Sequence, residues 1–129
     1  MNKFLVATNI LVATFSVSAN AESIHKEVRS GSTVRVWIYR NHDSHCNDMP
    51  GIVKVVTKPA HGKISQHSAL SRIGAERFGS GRCAGQMSTG LEVSYHSIPG
   101  FRGTDTFTIE ADWAGNNRRE TDTFTIDVQ

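Results

Sequence analysis

Apolar and polar residues alternate along much of this chain, and one alternating segment occurs twice. Thr104-Asp105-Thr106-Phe107-Thr108-Ile109-Glu110-Ala111 returns as Thr121-Asp122-Thr123-Phe124-Thr125-Ile126-Asp127-Val128. In the first copy Phe107, Ile109 and Ala111 share one face while Thr106, Thr108 and Glu110 share the other, which is the two-residue period of a half-buried strand. Between the copies, Gly115-Asn116-Asn117 supplies residues that tolerate positive φ. The pattern predicts a hairpin with a two-residue turn at Gly115-Asn116 or Asn116-Asn117, with Phe107, Ile109, Phe124 and Ile126 on one side.

Earlier segments carry the same period. Val34, Val36 and Ile38 alternate with Arg35, Trp37 and Tyr39, predicting a strand with Trp37 and Tyr39 on the face opposite the aliphatic residues. Ile52-Val53-Lys54-Val55-Val56 is β-branched enough to predict a central strand that ends near Pro59. Lys63-Ile64-Ser65-Gln66 reads as a short returning strand, and Leu91-Glu92-Val93-Ser94-Tyr95 alternates again. Residues 22–31 read as a mobile start, 41–50 as a polar loop, and 69–90 as a long unpatterned excursion rich in glycine. No segment shows a helix-period apolar stripe. About seven short strands with turn residues between them predict an all-β, antiparallel, immunoglobulin-like sandwich. A membrane barrel is the rival all-β arrangement, and the Thr, Glu and Asp faces of these strands are too polar for lipid.

The ends and the charge set the compartment. Lys3, the mostly apolar run to Val17 and the small residues Ala19 and Ala21 read as a secretory signal over residues 1–21, with cleavage after Ala21. The run is too short and too spotted with Thr, Asn and Ser for a membrane anchor, so no membrane span is expected after cleavage. Residues 22–129 then form one domain, exported to the periplasm or beyond the cell. Its two cysteines, Cys46 and Cys83, are expected to join in that oxidising space. The whole chain has 14 Lys and Arg against 12 Asp and Glu. Such balance gives no footprint for nucleic acid or anionic lipid, although Arg72, Arg77 and Arg82 share one loop segment and Arg118-Arg119 follow the hairpin tip.

Three further pieces stand in a fixed order: Pro59-Ala60-His61-Gly62, then Val93-Ser94-Tyr95, then Phe101-Arg102-Gly103-Thr104-Asp105-Thr106-Phe107. This arrangement resembles the bacterial Ig-like and cadherin-like repeat domains of surface proteins, here as a single copy. The resemblance implies an Ig-like fold, with Pro59, His61, Gly62, Tyr95, Phe101, Gly103, Asp105 and Phe107 as its structural motif. Physical chemistry gives those residues architectural work as well. Gly62 and Gly103 suit backbone conformations that a β-carbon penalises, Asp105 suits bonds to nearby amides, and Phe101 and Phe107 are expected to bury on either side of the turn.

Candidate chemistry is sparse. His42-Asp43-Ser44-His45-Cys46, with Asp48 and Met49 nearby, gathers imidazole, carboxylate and sulfur donors that would suit copper or zinc. The other reading of this stretch is a polar loop whose cysteine is consumed by Cys83. Asp105, Asp112, Asp122 and Asp127 lie along strands instead of in an oxygen-rich calcium loop. No nucleophile elbow, zinc-protease motif or phosphate loop is present, so neither catalysis nor a cofactor is expected. The reading is an exported domain that works by non-catalytic contact with a protein or cell-surface partner, through open sheet edges or the 69–90 excursion. The alternative is a periplasmic copper- or zinc-binding protein using His42 and His45.

Overall fold

The computed structural model describes residues 20–74, 81–113, 115 and 117–129, with side chains from Glu22 onward. Seven strands, β1 (Asn20–Val28), β2 (Thr33–Tyr39), β3 (Ile52–Thr57), β4 (Gly62–Arg72), β5 (Met87–Ser97), β6 (Gly103–Trp113) and β7 (Arg118–Val128), form two sheets. The larger sheet runs β1-β7-β6-β3 and the smaller β2-β5-β4. All neighbours are antiparallel except β1 and β7. The fold is an all-β sandwich whose strand order follows the immunoglobulin arrangement, with the first strand placed beside the last.

Period two builds the core as the sequence predicts for the repeated segment. Phe107 pairs with Phe124, and Ile109, Ala111 and Ile126 lie on the same inward face, all at or below 1 % exposure. Val93 and Tyr95 meet them from β5. The rings of Tyr95, Phe107 and Phe124 stack in series, with centroids 5.9 Å and 4.9 Å apart. Such ring pairs add about 0.5–1.5 kcal/mol each beyond their area burial.

Four expectations are corrected. The supposed mobile start is strand β1: Ile24 and Val28 are buried, and pairing in parallel with β7 holds a segment whose own pattern is weak. In β2 the register shifts between Arg35 and Trp37, so Val36 and Tyr39 are both buried and Tyr39 faces the core; a bulge inserts one residue and changes the phase. Strand β3 is an edge strand, since it pairs with β6 alone; Val53 and Val55 pack on the core while Ile52 and Val56 stay exposed. The hairpin between β6 and β7 keeps the expected register, pairing Trp113 with Arg118 as a turn at Gly115-Asn116 requires, while residues 114 and 116 lie outside the described residues. Finally, β4 and β5 extend to pair Arg72 with Met87, which shortens the excursion to residues 73–86.

Gly62 opens β4 directly beneath the Tyr95 ring. A β-carbon there would stand 2.2 Å from a carbon of that ring, whose residue is fully buried and cannot swing aside. Gly62→Ala is therefore expected to destabilise the fold by about 1–3 kcal/mol, the usual range for overpacking. Gly74→Ala, where nothing lies within 4 Å of the new carbon, should change stability by less than about 0.5 kcal/mol. Urea unfolding of both variants measures the difference; equal midpoints would show that the ring is free to move.

Candidate functional site

The two ends of the sandwich differ in chemistry. At the end where β5 finishes and β4 begins, the motif residues form one cluster. Asp105 sits on the inward face of β6 at 3 % exposure. Its carboxylate accepts the backbone N–H groups of Ala60 and His61, both at 2.9 Å, and the Tyr95 hydroxyl at 2.8 Å. It also accepts the N–H of Thr106 at 3.0 Å. Phe107 lies in the core beside Tyr95, whereas Phe101 is only half-buried and stacks on the exposed His61 ring at 3.9 Å. Phe101 thus packs partly against the core, whereas Phe107 is fully buried in it. Pro59 is half-buried just before the clamped amides, and Gly103 has φ +134°, a conformation that disfavours any side chain.

At the other end, the loops after β2 and β4 meet. Cys46 and Cys83 form a disulfide across 37 residues of sequence, worth roughly 4 kcal/mol in the chain-entropy account. This is the bond that an oxidising, non-cytoplasmic compartment favours. Asp48 fastens the same loop to β5, accepting from the Ser88 hydroxyl and, at 3.0 Å, from the Thr89 N–H. These hydrogen bonds, led by Ser88, hold the Asp48 carboxyl below its ordinary pKa. Asp43 is used within its own loop, accepting the N–H groups of His45 at 2.8 Å and Asn47 at 3.0 Å.

The sequence cluster of metal donors is thus divided among other tasks. Cys46 is in the disulfide, Asp43 and Asp48 organise the loop, His42 is half-buried and His45 is exposed. Among the described residues, no three His, Cys, Asp or Glu side chains come together as a metal would require. The four aspartates weighed for calcium are likewise dispersed: Asp105 and Asp122 lie inside, Asp112 meets Arg119 at 2.9 Å and Asp127 accepts from Thr104 at 3.3 Å. Of the loop arginines, Arg77 lies outside the described residues.

Between the sheets at this loop end, the interior turns polar. Strand β7 points Arg118, Glu120 and Asp122 inward in the same phase as Phe124, Ile126 and Val128, and Glu120 and Asp122 are at 3 % and 0 % exposure. Asp122 accepts the Tyr39 hydroxyl at 2.8 Å. Arg118 pairs with Glu120, reaches Asn41 at 3.3 Å and lies 5.1 Å from the centre of the Trp113 ring. A cleft of about 510 Å³ opens onto this region. Trp37, Tyr39, Arg118 and Glu120 line it from β2 and β7, and Lys26, Arg40 and Arg72 add cations from the surrounding segments. Burial lowers the Arg40 pKa against the opposing pull of Asp48. Sequence reading missed this group, yet its signal is present: three charged residues, 118, 120 and 122, stand in phase with the apolar residues that follow.

No family model matches the chain, and no curated protein is significantly similar to it.

Burial, followed by the Asp105 hydrogen bond and charge, pushes the Tyr95 phenol above its ordinary pKa. A raised folded-state pKa contributes stability that is complete below the unfolded value, near pH 10, and is lost as pH climbs through the folded one. The wild-type protein should therefore hold a level stability up to about pH 9 and lose it steeply above about pH 10. Tyr95→Phe should start less stable and show a shallower alkaline slope. Denaturant midpoints measured across that range test the linkage, and parallel slopes would sink it.

Proposed function

We propose that this protein is an exported Ig-like domain, akin to the single repeat of a bacterial surface protein, that works by non-catalytic contact with a protein or cell-surface partner. The signal-like start and the disulfide support export. Cleavage after Ala21 would keep the part of β1 that carries Ile24 and Val28, so the domain would retain its full complement of inward residues. Among the described residues, no helix is long and apolar enough to cross a membrane.

The observation that carries the contact reading is where exposed apolar residues fall. Ile52 and Val56 on β3 and Leu70 on β4 are 64 %, 59 % and 66 % exposed, more than Met87 and Ile98 elsewhere, and these strands end the two sheets. A short crossover joins β3 to β4, so both edges flank the same side of the sandwich. An edge strand offers unpaired backbone groups to an incoming strand, and apolar side chains beside it add affinity. Lys54 and the register shift between Val55 and Thr57 guard β3 against indiscriminate pairing.

Two measurements test this reading. Mass spectrometry of the protein recovered from the cell envelope should find Glu22 at its N-terminus; a chain beginning at Met1 would remove export. A photo-crosslinking residue at position 56 or 70 should trap a discrete envelope partner, and the same residue in place of exposed Arg102 should not. Val56→Lys and Leu70→Lys should each cut that capture about tenfold while moving stability by no more than about 0.5 kcal/mol. Capture that is equal at all three positions, or absent at both edges, overturns the edge-contact function.

A further inference from the structure

Lys26 is the residue of the loop-end cleft that packing explains least. It stands between Ile24 and Val28, in the phase of β1 that pairs with the inward residues Phe124, Ile126 and Val128, where a sandwich strand normally places an apolar side chain. It is half-buried and has no ion-pair partner among the described residues. Removing a cation from water without a counter-charge is unfavourable, and a bound anion would offset that cost.

The neighbours of Lys26 define the anion. Arg40 and Arg72 line the same cleft, and the one carboxylate among its described lining residues, Glu120, is already neutralised by Arg118. The chain carries only +2 overall, so this gathering of cations is local and does not reflect general basicity. Several positive groups call for a ligand bearing more than one negative charge, and guanidinium forks match the oxygens of a phosphate. Trp37 and Ile73 add an apolar wall, which suits a ring or apolar body attached to that phosphate. A volume of about 510 Å³ falls in the range of small-molecule sites, whereas a nucleic acid backbone would need an extended basic stripe.

We propose that the cleft between β1, β2 and the start of β7 binds a phosphate ester with a ring-shaped or apolar body, its phosphate held by Lys26 together with Arg72. This is a ligand site in addition to the contact edges on β3 and β4. Two sources share that chemistry, a soluble sugar phosphate and a phospholipid headgroup.

The test uses the disulfide-bonded protein, glucose 6-phosphate as the soluble probe, and phosphatidylcholine vesicles with or without phosphatidic acid as the lipid probe. Amide chemical shifts followed during titration with glucose 6-phosphate should saturate and change at Lys26, residues 36–40 and Ile73. Lys26→Met should weaken this binding about tenfold, the size of one charge-assisted contact. Arg72→Gln, at an exposed side chain, provides a second variant with the same expected loss, and Lys63→Met at the far end of β4 should change nothing. Sedimentation with phosphatidic acid vesicles that is lost in Lys26→Met, without any response to glucose 6-phosphate, assigns the ester to a lipid headgroup. The proposal is overturned if neither probe binds, or if Lys26→Met and Arg72→Gln both bind as the wild type does.

Discussion

The Asp105 carboxylate is the constraint on which the arrangement of the two sheets depends. A carboxylate at 3 % exposure would be costly if its oxygens lacked donors. Here it takes two amides from the crossover between β3 and β4, one from its own strand and the hydroxyl of Tyr95 on β5. One side chain of the larger sheet thereby fixes both the start of β4 and a ring of the smaller sheet. Tyr95 in turn leaves no room above Gly62 and stacks against Phe107. Removing any one of these groups would leave buried donors or a void, so the motif acts as a unit.

The opposite end is held by different means. Its inward positions on β7 are Arg118, Glu120 and Asp122, which contribute no hydrophobic driving force, and a cleft opens where packed side chains would otherwise lie. The Cys46–Cys83 disulfide ties the two loops there, and the Asp48 bonds to Ser88 and Thr89 tie the first of them to β5. Such covalent and polar ties let that end keep charged groups inside without losing its shape.

Strand identity was legible wherever period two reflected burial on one face. Phe107, Ile109, Phe124 and Ile126 declared their strands because each faces the core and is flanked by Thr. Strand β1 was hidden because Lys26 interrupts its inward phase and its stability comes from a partner 100 residues away in sequence, as in Ile24 beside Phe124. The edge position of β3 was hidden as well, since β-branched residues suit any strand and only its pairing with β6 alone reveals which side lacks a neighbour. The motif around Asp105 was readable as residues, but its function as a clamp required knowing that Ala60, His61 and Tyr95 converge on it. The cleft was the least legible feature, because its cations come from separate segments and the bulge in β2 changes the phase and so brings Tyr39 inward.

Strand β7 condenses this division into a single run of alternation. Its inward residues pass from Arg118, Glu120 and Asp122 to Phe124, Ile126 and Val128, so one half of the strand faces a polar interior and the other half faces the aromatic stack. The apolar half and the Asp105 clamp give the sandwich its uniqueness. That leaves the charged half free of the packing demands that normally exclude Lys and Arg from a core. A small domain with only one apolar core can hold a charged cleft between its sheets only if the remaining packing is strongly specified. The stack of Tyr95, Phe107 and Phe124, together with Tyr39 and Trp113 buried beside the charged residues, is therefore what lets this small sandwich keep charged groups between its sheets.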